Sequence, residues 1–320
     1  MKYKPILVVA GEPFGVFLEI FFNALKNNSF KKPLVLIVSK DLLIKQMKIL
    51  NYNFKINLIN KKMINLDKIN NKCINVINID FKFSKPFEKV SDKSNDYINK
   101  CFEQSIKLLN KGLFSGLING PISKKNFLKV NFLGITEYLA NKTNKNNVAM
   151  LIYNKTLSVC PITTHLPLKD VYKYLSKKKI IKQVELINNF YLSKFKKKPR
   201  IAITGLNPHC ESNYKSSEEN RIIIPSIKYL IKKKYNVKGP FAADTIFMKE
   251  QLRKYDVIVG MYHDQVLTPA KTLFGFEAIN ITLGLPFIRI SPDHGPNISM
   301  QGKNLSNPQS LIEALKFLDK

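Results

Sequence analysis

Tryptophan is absent from this 320-residue chain, histidine occurs only four times, and acidic residues are scarce. The 23 Asp and Glu stand against 52 Lys and Arg, a formal charge of +29. The four cysteines, Cys73, Cys101, Cys160 and Cys210, show no CxxC spacing. They are too few for a disulfide framework and read as reduced, cytosolic thiols. No apolar run reaches the roughly 18 residues of a membrane-spanning helix, so no membrane partner is expected. The N-terminus MKYKPILVVAGEP starts basic, but its apolar run is short and breaks at Gly11-Glu12-Pro13. It reads as a first strand, not as a leader. A GxGxxG fingerprint is also missing, which argues against a Rossmann-type dinucleotide site. No internal repeat or low-complexity linker marks a domain boundary.

The excess of positive charge raises the question of a nucleic-acid partner. The lysines, however, are spread along the whole chain and stand beside Asn and Ile, the composition that an AT-rich genome favours. No nucleic-acid motif or aromatic-basic interleaving accompanies them, so no such partner is expected. A positive field would still steer an anionic small molecule.

The residues that are present describe an α/β chain. With 45% hydrophobic residues, it is long enough for two modest α/β domains or one large one. Apolar, β-branched runs at 6–10, 34–39, 116–120, 200–206 and 255–260 read as core strands. Segments 148–153 and 157–163 read as a strand pair turning at Asn154-Lys155. Helical spacing marks 14–26, a stretch from Asp41, 94–111, 178–195, 218–233 and 309–318. Gly239-Pro240 followed by Ala243-Asp244-Thr245 resembles a known family's turn into a helix. The Asn/Lys-rich segment 51–92 is weakly periodic and yields no assignment.

Three histidines, His165, His209 and His263, each follow a predicted core strand, and His263 is expected in the loop after it. Strand ends on one side of a parallel sheet converge. Three neutral imidazoles with an open position suit Zn²⁺, Co²⁺ or another divalent ion. Spacing alone leaves the alternative of three hydrogen-bonding structural histidines, because no HxH or HExxH pattern is present. Arg289 sits within an apolar run, and arginine is rare in this chain. Its planar fork of donors suits phosphate or carboxylate, and the compact charge of Lys271 suits the same groups. Lys271 reads equally as a solvated surface lysine.

The stretch 260–303, GMYHDQVLTPAKTLFGFEAINITLGLPFIRISPDHGPNISMQGK, carries a resemblance. MYHDQ, the lysine eight residues after the histidine, and NITLGLPFIR followed by DHG are similar to the 4-hydroxythreonine-4-phosphate dehydrogenase family, which makes a precursor of pyridoxal phosphate. TTHLPL at 163–168, NPH at 207–209, NGPISK at 119–124 and GEPFGVFLEI at 11–20 resemble further motifs of that family. HGPNISMQGKNLSNP at 294–308 resembles the nucleotide-binding loop of the wider isocitrate and isopropylmalate dehydrogenase group.

The resemblance implies an isopropylmalate-dehydrogenase-like fold of two α/β/α domains with the active-site cleft between them. Residues 1–118 plus 285–320 would form the first domain, with the nucleotide loop at 294–308. Residues 119–284 would form the second, with the metal and substrate residues and the dimer contacts. It implies His165, His209 and His263 as metal ligands and Thr136, Lys271, Asn280 and Arg289 as substrate-binding residues. Gly295 and Asn307 become NAD or NADP contacts, and a divalent ion (Zn, Mg or Co) becomes the second cofactor. Asp244, Asp264 and Lys271 are the candidates for the base. The implied enzyme is a cytoplasmic homodimer with shared active sites, in which the neighbouring subunit supplies His263. The implied reaction is metal-dependent oxidation of 4-phosphooxy-threonine, a small phosphorylated amino acid, followed by decarboxylation to 3-amino-2-oxopropyl phosphate.

Two departures stand out. The family's GHTE, in which His and Thr both contact substrate, is Gly134-Ile135-Thr136-Glu137 here. The glycine-rich run after NPH is CESNYKSSEE. Isoleucine neither hydrogen-bonds nor titrates, which keeps open a sister dehydrogenase acting on a phosphorylated four-carbon sugar acid such as 4-phosphothreonate. A three-histidine zinc hydrolase is a further alternative, and it leaves the nucleotide-type loop without a role.

Overall fold

The computed structural model describes residues 3–61, 63–128, 132, 134–210, 214–292 and 295–320. In chain order the elements are β1 (Ile6–Val9), α1 (Phe17–Asn27), β2 (Leu34–Val38), α2 (Lys40–Ile49), β3 (Ile56–Leu58) and β4 (Ile74–Asn78). There follow α3 (Asn95–Asn110), β5 (Leu117–Asn119), α4 (Ile135–Lys142), β6 (Ala149–Tyr153), β7 (Ser158–Pro161) and α5 (Lys177–Phe195). The rest are β8 (Ile201–Thr204), α6 (Ile224–Lys232), β9 (Val237–Phe241), α7 (Lys249–Leu252), β10 (Val257–Gly260), α8 (His263–Phe274), β11 (Ile279–Leu283), β12 (Arg289–Pro292) and α9 (Gln309–Asp319). The chain divides into two compact units, Met1–Tyr138 with Pro286–Lys320, and Leu139–Leu285.

The strands of the first unit lie in the order β3-β4-β2-β1-β5-β12, all parallel. Every residue of β1 (ILVV) and β2 (LVLIV) is buried, as a parallel sheet covered on both faces requires. Each such side chain contributes about 1.5–3 kcal/mol relative to an exposed one. Helix α1 buries Phe17, Leu18, Ile20, Phe21, Phe22 and Ala24. It starts three residues later than its apolar pattern suggests, because the Gly15 amide donates to the Glu12 carbonyl and holds the chain in a turn. The connection after β1 runs to β2 on one side, and β5 lies on the other, so the ends of β1 and β5 flank the point where the winding reverses, the usual ligand crevice of such sheets. The two ends touch closely. A Cβ on Gly11 (φ +80°) would lie 2.4 Å from the Pro121 carbonyl oxygen, and one on Gly120 would lie 2.1 Å from that of Ala10. Glycine is needed at both positions.

Segment 119–138, assigned from the sequence to the second domain, belongs to the first unit. It is tied there by Asn95 donating to the Asn126 carbonyl, by Tyr138 donating to Asn99, and by the Phe102 ring against Phe127 and Tyr138.

In the second unit the order is β11-β6-β7-β10-β8-β9. Strands β7, β10, β8 and β9 are parallel, while β6 is antiparallel to both β7 and β11. The expected turn at Asn154-Lys155 is present, with the Asn154 side chain accepting from the Thr156 amide. The Gly239-Pro240 pair lies inside edge strand β9 and not in a turn before a helix, and its peptide is cis. An edge strand tolerates a residue without an N–H. The segment without an assignment holds β3 and β4. Helix α5 is capped by the Ser176 hydroxyl accepting from Lys179 N and ends at Lys196 in the left-handed region. No described helix is long and apolar enough to cross a membrane.

Candidate active site

Strands β7, β10 and β8 are parallel neighbours, so their C-terminal ends stand side by side in the second unit. His165 and His209 follow β7 and β8 in short connections. His263 is not in a loop, as expected, but is the first residue of α8, because only Met261 and Tyr262 separate β10 from the helix. The ring centroids of His165 and His263 are 5.9 Å apart. Zinc–nitrogen bonds of about 2.0–2.1 Å place two ligating rings roughly 5–6.5 Å apart, so this pair fits one ion. Asp264 Oδ1 lies 2.6 Å from His263 Nδ1, the kind of outer partner that orients a ligating imidazole. His209, at φ +56°, stands 3.7 Å from Asp244. Among the described residues no group of three or more His, Cys, Asp and Glu converges on one point. The structure therefore brings His165 and His263 together within one chain and leaves His209 with Asp244.

Of the three base candidates, Asp244 and Asp264 are exposed carboxylates beside a histidine. Lys271 is exposed on α8, eight residues from His263, or about 12 Å along the helix. Asn280 lies in β11 opposite Ile152. Its Oδ1 is buried without a hydrogen-bond partner among the described residues. A buried acceptor left in this way is costly, and a ligand donor would satisfy it.

The first unit has its own pocket at the ends of β5 and β12, a cavity of about 520 Å³. Asn119, Lys124, Lys125, Ile135, Arg289 and Gly295 are among its walls. Arg289 is fully buried and its Nε donates to Asn119 Oδ1 at 2.6 Å. Burial pulls its guanidinium down to about 9, against the opposing effect of Glu137, so it stays charged at neutral pH. Ile135 and Thr136 open helix α4, and the half-buried Ile135 gives the pocket an apolar wall where the family has an imidazole. Thr136 is not among the pocket's lining residues.

The loop between β12 and α9 is held against the turn at 11–15. The Val16 amide donates to the Pro296 carbonyl, and Gln301 Nε2 donates to the carbonyls of Phe14 and Glu88. The buried carboxylate of Glu19 accepts from the Ser306 and Asn304 amides at 2.9 and 3.2 Å. Two motifs far apart in sequence thus form one surface. Gly295 lines the pocket. Asn307 instead accepts from the Gln309 backbone amide at 2.9 Å in the turn that leads into α9. His294 lies outside the described residues.

The sequence motifs NGPISK and GEPFGVFLEI contain Asn119, Glu19 and Glu12 but assign none of them a role. Glu12 is buried at the end of β1, and burial pushes its carboxyl up to about 7. The Ser94 hydroxyl and Phe14 amide oppose this without closing a hydrogen bond of normal geometry. The signal available was an acid three residues after an all-apolar strand.

Parallel strands ending in histidines in one unit, and in a basic pocket beside a glycine-containing loop in the other, define an α/β enzyme for small molecules. The family model described as pyridoxal phosphate biosynthetic protein PdxA matches residues 29–318. The chain belongs to that family and is an oxidoreductase of the dehydrogenase kind. A 4-hydroxythreonine-4-phosphate dehydrogenase from Sulfurihydrogenibium sp. (strain YO3AOP1) is 38% identical over 318 residues, covering 98% of this chain and 96% of that one. A solved structure of the dehydrogenase of the same name from Klebsiella pneumoniae aligns with a TM-score of 0.86 at 28% identity, over 99% of this chain and 98% of that one. An Oceanobacillus iheyensis protein, provisionally named D-threonate 4-phosphate dehydrogenase, is 32% identical over 98% of this chain and 97% of its own.

Proposed function

We propose that this chain oxidises the C3 hydroxyl of 4-hydroxythreonine 4-phosphate with NAD or NADP as acceptor. The β-keto acid then loses CO₂ to leave 3-amino-2-oxopropyl phosphate, a precursor for pyridoxal phosphate. The observation that carries this reading is the buried, charged Arg289 fixed by Asn119 in the wall of a pocket that also holds Lys124 and Lys125. A multiply charged phosphate is the ligand that such a set favours.

Arg289, Lys271, Thr136 and Asn280 bind the substrate in this reading, and Gly295 with the loop held by Glu19 takes the nicotinamide cofactor. His165, His209 and His263 are the ligands of a divalent ion. Imidazole nitrogens favour zinc or cobalt over magnesium, which prefers oxygen. The ion, when bound, lowers the hydroxyl's pKa and withdraws electrons from the carbonyl that forms. Asp264 orients His263, and Asp244, Asp264 and Lys271 remain the candidates to take the hydroxyl proton. The family resemblance supports a cytoplasmic homodimer whose sites draw ligands from both chains. Because His165 and His263 pair within one chain, the ligand from the second chain is His209 in this arrangement.

A second reading is favoured by Ile135. With an apolar wall where the family has histidine, a phosphorylated four-carbon sugar acid becomes the competing substrate, in line with the name of the Oceanobacillus relative. NADH formation with phosphorylated hydroxythreonine and with phosphothreonate, each with and without added zinc or cobalt, decides between them. Turnover of neither substrate overturns both readings.

A further inference from the structure

Beneath the strand-end histidines of the second unit lies a chain of buried hydrogen bonds that the proposed reaction does not use. Its centre is Gln265, in the first turn of α8 and 9% exposed. Its Oε1 accepts from the Met261 amide at 2.7 Å and from the Thr204 hydroxyl at 2.9 Å. Its Nε2 donates to the Gly205 carbonyl at 2.8 Å. One side chain therefore joins the turn before His263 to the strand end before His209.

The bonds continue on both sides. The Met261 carbonyl accepts from the amide and the hydroxyl of Thr163, at 3.2 and 2.8 Å, two residues before His165. On the far side the buried Glu219 carboxylate accepts from the amides of Leu206 and Asn207 at 2.8 and 2.9 Å, and from the Asn207 side chain at 2.8 Å. Asn207 is two residues before His209. Space is closed around this path. A Cβ on Gly205 would lie 2.6 Å from Cys210 Sγ, and one on Gly260 would lie 2.4 Å from Val266 Cγ1.

We propose that Gln265 is a positioning residue: it fixes the turns carrying His165 and His263, the pair that one chain gives to one ion, and with Glu219 it fixes the turn carrying the His209 that the same chain gives to the other ion of the dimer. A leucine of similar size would deprive the buried Met261 amide and Gly205 carbonyl of their partner, so the side chain serves to hold these backbone groups and not merely to fill space. Fully bonded buried networks specify one geometry. Ligating imidazoles bind an ion tightly only when they are held in place before it arrives. The inference rests on the proposed metal-binding role of the three histidines.

The test titrates the metal-free full-length protein with Co²⁺ and follows its visible absorption, independently of turnover. Wild type is compared with Gln265→Leu, Gln265→Glu and Glu219→Gln. Tyr191→Phe serves as the control, because it removes buried hydrogen bonds to Ser158 and Asp256 in the same unit but away from the three turns. Circular dichroism and the unfolding midpoint establish that each variant is folded, and Gln265→Glu, which keeps the acceptor oxygens, serves where Gln265→Leu does not fold. The expected result is cobalt affinity about 10- to 100-fold weaker in the Gln265 variants and lower in Glu219→Gln, with Tyr191→Phe binding as wild type does. Wild-type affinity in a folded Gln265 variant, or an equal loss in Tyr191→Phe, overturns the positioning role while leaving the metal reading standing. Failure of wild type itself to bind cobalt overturns both.

Discussion

Arg289 Nε and Asn119 Oδ1 are 2.6 Å apart in the wall of the first unit's pocket, so the orientation of a buried guanidinium is set by a neighbouring strand end. If that guanidinium reads the substrate phosphate, Arg289→Ala loses a charge-assisted bond of about 2 kcal/mol or more, roughly 30-fold in kcat/KM. The loss should fall on the phosphorylated substrate and spare the unphosphorylated one. Asn119→Ala should lose about fivefold, in line with a hydrogen bond of about 1 kcal/mol. Equal losses on both substrates would show that Arg289 reads something else.

Ile135 offers the pocket no donor, acceptor or charge. Ile135→His is expected to raise activity on phosphorylated hydroxythreonine by restoring one polar contact, worth about 1 kcal/mol or roughly fivefold. High wild-type activity on phosphothreonate, with no gain from the histidine, points instead to the sugar-acid substrate.

Glu19 holds the backbone of the loop at 304–306 through two amides. Glu19→Gln weakens both bonds by removing the charge. We expect KM for NAD to rise by about tenfold with kcat little changed. A rise in KM for the phosphorylated substrate alone would detach this loop from the cofactor.

Chelation should abolish turnover, and Zn²⁺ or Co²⁺ should restore it. Histidine sharing between chains is tested by refolding inactive His209→Ala and His263→Ala subunits together. If one chain gives the His165/His263 pair and its partner gives His209, each mixed dimer has one intact site. Random mixing makes about half the dimers mixed, so activity should recover to roughly a quarter of wild type. No recovery, with heterodimers demonstrated by mass, would place all three ligands in one chain.

Burial raises the Glu12 carboxyl from 4.5 to about 7. Between those values the folded protein keeps a proton that the unfolded chain gives up, so stability falls as pH rises through that window. Glu12→Gln cannot ionise and should escape the fall. The two proteins should differ little at pH 4.5. The variant should be the more stable by on the order of 3 kcal/mol above pH 8. Parallel denaturation curves across this range would show that the carboxyl titrates normally.

The sheet strands were legible where apolar runs stay buried on both faces. Residues 6–10 and 34–39 map to β1 and β2 within a residue at each end. Strands β3 and β4 were not, since FKINLI and INVINI carry Asn among their apolar residues. The Asn75 side chain donates to the carbonyls of Leu34 and Asn70, a long-range role that no local pattern announces. Site residues on strand ends were legible as types but not as partners. Nothing in the spacing of Arg289 and Asn119, 170 positions apart, foretells their bond. The same holds for Glu19 with Ser306, and for the glutamine of MYHDQ, whose partners besides Met261 lie at the end of another strand.

Leu283 in β11 pairs with Ala149 in β6, so the second unit begins and ends on neighbouring strands while both remaining pieces of the chain belong to the first. On the ribosome this fixes an order of events. Residues 139–285 can close on themselves as soon as β11 emerges. The first unit must wait for β12 and α9, both made after the second unit, to complete its sheet beside β5. Until then the edge of β5 and the apolar face of α9's future seat are uncovered, which makes the nascent chain most dependent on protection from aggregation in the interval before β12 and α9 emerge.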